Sequence, residues 1–117
     1  MSEKQEEIYT VSEFLDYLNT NLQSTKYTIE GEISDVDERE RTIFFSLIDK
    51  TDKSVLRCLI WKNRLQSLGF VSLEDGSEAK IVGVVNIYKP TGKLTFIADY
   101  VSLTGEGELK KALAELS

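Results

Sequence analysis

Residues Tyr27 to Asp49 read YTIEGEISDVDERERTIFFSLID. In the first half Tyr27, Ile29, Gly31 and Ile33 alternate with Thr28, Glu30, Glu32 and Ser34, the period of a half-buried strand. In the second half Ile43, Phe45 and Leu47 alternate with Thr42, Phe44 and Ser46. The charged run DVDERER between them reads as a solvated turn. Gly31 falls on the inward face of the first strand, where a missing side chain lets the backbone bend or another backbone approach. A strand of this kind can curl and pair on both sides, which is what closing a small barrel requires.

The remaining elements are those needed for closure. Thr10-Val11-Ser12-Glu13 is a capping box opening an amphipathic helix from Val11 to about Leu22, with Val11, Phe14, Leu15, Leu18 and Leu22 facing the barrel. The first two strands are expected at Tyr27 to Val36 and Arg41 to Asp49, the third at Val55 to Trp61. A short helix from Lys62 to Leu68 ends at Gly69. The fourth strand runs from Glu78 to Tyr88, with Gly83 on its inner face, and the fifth from Leu94 to Leu103. The turn between them, Lys89-Pro90-Thr91-Gly92-Lys93, has Pro and Gly at suitable central positions. Leu109, Ala112, Leu113 and Leu116 mark the start of a last helix that reaches Ser117 without a stop signal. The prediction is a mainly β, five-stranded Greek-key barrel of the OB type. Residues 1–8 are expected to be a disordered leader, 9–104 the barrel, and 105–117 the start of a linker helix.

Composition narrows the function classes. The 117 residues suffice for one domain. No apolar run approaches the ~20 residues of a membrane span, and the polar, acidic N-terminus is not a signal peptide. A cytoplasmic location is expected, with the single cysteine, Cys58, as a buried thiol. Without histidine, and with one cysteine, the sequence offers no Ser-His-Asp or Cys-His arrangement and no usual zinc site. No catalytic residue, metal or cofactor is expected in this chain. Asp49 and Asp99 fall at strand positions without an obvious partner. The net charge of −6 is concentrated outside the barrel: residues 1–26 carry −3, residues 104–117 carry −1, and residues 27–103 carry only −2.

Binding of a single strand has more support. OB barrels use the face of strands two and three, where bases need aromatic platforms and the backbone needs cations. Phe44, Arg57 and Trp61 point outward there, and Tyr88, Lys89 and Lys93 flank the hairpin between strands four and five. The bland alternatives are that Phe44 packs under the first helix, that Trp61 covers the second, that Tyr88 plugs a barrel end, and that Arg57 and the lysines are ordinary surface charge. A competing class is a protein-interaction module, in which outward Val82, Val84 and Ile97 dock a partner chain.

The ordered set YTVSEF, YTIEGEISDV, IFFSLID, LRCLIW, Leu68-Gly69-Phe70, Glu74-Asp75-Gly76, VGVVNIYKPTGKL and GEGEL resembles the N-terminal domain of the exodeoxyribonuclease VII large subunit, from Tyr9 to Leu116. The resemblance implies an OB-fold that holds single-stranded DNA for a nuclease domain further along the polypeptide, beyond Ser117. It also implies a holoenzyme containing several small subunits, which degrades single-stranded DNA to oligonucleotides from both ends. The sequence departs from the family in its acidic DVDERER run and in apolar Val82 and Val84, where outward basic residues are common. Both departures lower the expected affinity for DNA.

Overall fold

The computed structural model describes residues 7–104. The first six residues of the expected leader and the expected C-terminal helix lie outside the described residues. In between, helix α1 (Val11–Leu22) precedes β1 (Tyr27–Glu38), β2 (Thr42–Ile48) and β3 (Val55–Trp61). Helix α2 (Lys62–Ser67), β4 (Glu78–Tyr88) and β5 (Lys93–Leu103) follow. The strands close into a barrel in the order β1-β2-β3-β5-β4, with β4 returning to β1. All pairs are antiparallel except β3 with β5. This is the OB topology expected from the element order.

Closure rests on β1. Its residues 27–32 pair with β4 and its residues 32–38 with β2, so that Glu32 faces both Ile48 and Glu78. Gly31 stands at the changeover. A Cβ there would lie 2.9 Å from both the Ile48 carbonyl oxygen and Leu47 Cγ, so the end of β2 can fold across β1 only over a bare Cα. Gly83 plays the same part on β4, where a Cβ would meet the Ala98 Cα and the Ile97 carbonyl carbon at 2.8 Å.

Two bulges change the phase of the long strands. On β1 the pairing steps from Ser34↔Ser46 to Asp37↔Phe44, and Asp35 takes up the extra residue at φ 53°. Aspartate tolerates that left-handed conformation better than most side chains. The strand therefore continues two residues past the expected end at Val36, and the turn shrinks to residues 39–41. On β5 the step from Tyr100 to Ala98 leaves Asp99 as the extra residue. Phe96 and Ala98 before it, and Val101 after it, then all point inward. Asp99 has the partners the sequence left unassigned: Lys26 Nζ sits 2.7 Å from its carboxylate, and Arg64 Nε donates to its carbonyl at 2.7 Å. Asp49 accepts from the Thr51 N–H at 2.7 Å, organising its own turn.

The core joins Ile33, Phe45, Ile60, Ile81 and Phe96 from the five strands, with Leu65 of α2 closing one end. Cys58 is fully buried there, and burial pushes its thiol up to about 12. Helix α2 ends as the sequence predicts. Gly69 at φ 97° lets its own N–H reach Gln66 O at 3.0 Å and the Phe70 N–H reach Leu65 O at 3.3 Å, a Schellman motif.

Helix α1 has the expected boundaries and capping box, but it is attached differently. Only Leu15, Leu18 and Leu22 of its apolar stripe are half-buried, whereas Val11 and Phe14 stay exposed. The helix is held by polar groups at an edge. β1 pairs with β4 no further than Gly83, so the following residues of β4 lack a neighbour on that side. Asn19 fills the gap: its Nδ2 donates to Ile87 O at 3.0 Å and its Oδ1 accepts from the Ile87 N–H at 2.7 Å.

Three outcomes are expected. Gly83→Ala drives a methyl into backbone that cannot move, and should cost about 3 kcal/mol or more in urea denaturation. Gly92→Ala, at φ 72° with open space around it, should cost only about 1–2 kcal/mol. Asn19→Ala should leave the barrel's circular dichroism intact while amide exchange at Ile87 accelerates, because that N–H loses its acceptor.

Candidate nucleic-acid interface

The outward side of β2 and β3 is built by register. Phe44 lies opposite Leu59, which makes Arg57 and Trp61 its diagonal neighbours on β3. Phe44 is half-buried, and the cover comes from arginines rather than from α1. The Arg39 guanidinium carbon lies 5.1 Å from the centre of the ring and that of Arg57 lies 5.9 Å away, both within cation–π range.

Each arginine is fixed by its own anchor. Arg57 donates to Ser46 Oγ at 3.0 Å and to the Asp35 carbonyl, which the bulge turns toward it, at 3.4 Å. Ser46 is thereby 4% exposed, although it sits on the outward side of its strand. Arg39 donates through Nε and Nη2 to one Asp37 oxygen, at 2.9 and 2.7 Å. Those hydrogen bonds hold the Asp37 carboxyl below its ordinary value and raise Arg39 above its own. Arg39 has no signal in composition, because a run as charged as DVDERER reads as a solvated turn. The one available signal was its spacing two residues after Asp37, in a strand that continues past the bulge.

The six residues singled out from the sequence divide into four places. Phe44 and Arg57 touch at the centre. Trp61 stands at the end of β3 opposite Thr42, its side chain 52% exposed and beside the 39–41 loop. Tyr88 and Lys93 face each other across the β4–β5 hairpin, both exposed. That hairpin lies toward the other end of β3, since the parallel register sets Phe96 beside Cys58. Lys89 turns away to α1, where Asp16 holds it at 2.9 Å. Val84 and Ile97 are paired, Ile97 is paired with Leu59, and all three are half-buried with Val82. They continue the Phe44 face rather than forming a separate patch.

Of the acids at 37–40, Asp37 is matched by Arg39 and Glu38 by Lys62 at 3.0 Å. Among the described residues there is no cluster of His, Cys, Asp and Glu suited to a metal ion, and no helix long and apolar enough to cross a membrane.

A five-stranded barrel with this topology and this face matches a family model described as an OB-fold nucleic acid binding domain, over residues 9–102. The chain belongs to that family. It is 31% identical over 112 residues to the exodeoxyribonuclease 7 large subunit of Nitratiruptor sp., covering 93% of this chain and 26% of the relative. The large subunit of Streptococcus agalactiae is also 31% identical, over 91% of this chain and again 26% of the relative. The chain thus spans about a quarter of the length of these relatives. The resemblance to the exodeoxyribonuclease VII large subunit read from the motifs is borne out. Among solved structures, a replication protein A heterotrimer bound to single-stranded DNA shares the fold, with a TM-score of 0.55 and 9% identity over 69% of this chain and 58% of that one.

The Asp37–Arg39 pair yields a pH prediction. A carboxyl whose value is lowered on folding contributes stability above its ordinary value, lost as pH falls through the lowered one. In a carboxyl-carbon NMR titration Asp37 should therefore titrate below a typical surface aspartate, and Arg39→Gln should return it to the ordinary range. An Asp37 that titrates normally in the unmutated chain would show that Arg39 is not anchored in this way.

Proposed function

We propose that the β2–β3 face binds single-stranded DNA and that, in the longer relatives, such a domain presents the strand to a nuclease. The observation that carries this reading is Phe44 flanked by the anchored guanidiniums of Arg39 and Arg57. The guanidinium planes laid over Phe44 offer a base its stacking surface, with the ring as their support. Arg57, held by a hydroxyl and a carbonyl, keeps its charge for the adjoining phosphate, whereas Arg39 shares its own with Asp37. Trp61 provides a second platform at one end of the face. Tyr88 and Lys93 extend it at the other, while Lys89, engaged with Asp16, contributes less.

The relatives' name, exodeoxyribonuclease 7 large subunit, supports DNA as the polymer. Hydrolysis of the strand, and assembly with the small subunit, would be carried by parts of the protein that this chain does not contain. A docking surface for a partner protein is the second reading, favoured by the half-buried apolar row Leu59, Ile97 and Val84 beside Phe44.

Trp61 is the sole tryptophan, so its emission reports on the face directly. Titration with single-stranded oligonucleotide at low salt should quench it, with micromolar or weaker affinity that added salt reverses. Phe44→Ala should weaken binding about tenfold or more, the value of one base stack. Lys93→Ala should lower the salt slope by roughly 0.7, and Lys89→Ala by less. Binding that survives Phe44→Ala with Trp61 emission unchanged would move the interface elsewhere.

A further inference from the structure

Where the 39–41 loop meets the start of α2, an open groove of about 670 Å³ is lined by Glu40, Arg41, Trp61, Lys62, Asn63 and Gln66. Its two walls are tied together, since the Lys62 N–H donates to Arg41 O at 2.9 Å. The exposed indole of Trp61 forms one surface. Trp61 occupies the N-cap position of α2 and makes no side-chain capping bond there. Asn63 and Gln66, one helical turn apart, share a face of α2.

The charges in this corner are unequal. Asp37 and Glu38 are ion-paired, and Lys62 is taken by Glu38. Among the described residues no ion pair or side-chain hydrogen bond engages Glu40, Arg41, Asn63 or Gln66. A bare carboxylate repels a nucleic-acid backbone, and its position beside the one exposed indole calls for a ligand group that carries donors. A stacked base supplies them on its Watson–Crick edge. Guanine alone presents two adjacent donors, N1–H and the N2 amino group, which match the two oxygens of one carboxylate. Cytosine and adenine present a single amino group beside an acceptor nitrogen. Thymine turns carbonyl oxygens toward the site on either side of N3–H, and those oppose a carboxylate.

We propose that this groove is a guanine-selective base subsite at one end of the single-strand track. Trp61 is the stacking platform, Glu40 the acceptor for N1–H and the N2 amino group, Asn63 and Gln66 the partners for the remaining edge, and Arg41 the phosphate contact. The proposal rests on the reading that the β2–β3 face binds single-stranded DNA, and it adds a sequence preference to that face.

The test compares fluorescein-labelled dT10 with the same oligomer carrying one guanine at the 5′ end, the centre or the 3′ end, each titrated with the 117-residue chain by anisotropy. At one of these positions guanine should tighten binding by about fivefold or more, the lower range for a bidentate base contact. Glu40→Gln, a surface change of equal size, should raise dT10 affinity slightly by removing a negative charge, yet bring the guanine preference to within about twofold. If the chain binds dT10 and the guanine oligomers equally, the subsite is wrong and the binding face stands. A preference that persists in Glu40→Gln also overturns the assignment. Failure to bind any oligomer would overturn the face and the subsite together.

Discussion

The constraint on which the rest of this structure depends is that one strand must pair with two neighbours on opposite sides in succession. β1 does so by turning at Gly31 and Glu32, where the backbone of β2 comes within 2.9 Å of where a Cβ would be. A larger residue would have to displace the Ile48 carbonyl oxygen of the paired strand, together with the Leu47 side chain at the same distance. The parallel contact of β3 with β5 then completes the cylinder, and the close approach at Gly83 draws β4 and β5 together at the bulge. Where β1 leaves β4, the end of β4 is left as an edge, which Asn19 occupies with two hydrogen bonds.

The Phe44 face follows from the same curvature. Bending β1 after Gly31 is accompanied by the bulge at Asp35, and that single extra residue has three effects. It turns the Asp35 carbonyl toward Arg57, brings Asp37 opposite Phe44, and lets Arg39 fold back over the ring. The acidic run that weighs against a polyanionic ligand is therefore partly neutralised, by Arg39 within it and by Lys62 of α2. Two of its carboxylates hold cations, one of them the arginine that covers Phe44. Net charge is a poor guide here because the repulsion a strand meets depends on unpaired charge within about 8 Å, the screening length at physiological salt.

Helix α1 illustrates a different balance. Its sequence stripe is apolar enough for full docking, yet no residue of the helix is fully buried. The barrel core is already closed by its own strands and by Leu65, so α1 has only a strand edge to cover. Polar side chains tie it there alongside the half-buried leucines: Asn19, Gln23 with Asn86 at 2.8 Å, and Asp16 with Lys89. The exposed Tyr9, Phe14 and Tyr17 rings pack on one another instead, with centroids 5.8 to 6.1 Å apart.

Much of this was readable in the chain. Period-two alternation, the Thr10–Glu13 capping box, Gly69 after α2 and the Pro-Gly hairpin turn are local signals, and each sets the conformation of residues only a few positions apart. They determined the helices, the strand order and the outward direction of Phe44, Arg57 and Trp61. The ordered motifs carried the family. What tertiary structure alone decided was everything that depends on residues distant in sequence. Bulges are invisible to periodicity because the extra residue exists only relative to a partner strand, so the continuation of β1 to Glu38 and the inward turn of Val101 could not be read. The pairing of each charge was equally hidden: Lys89 goes to Asp16 and Lys26 to Asp99, whereas Glu40, beside Trp61, has no partner among the described residues. A carboxylate in a sequence has no preferred cation until the fold brings one within about 4 Å.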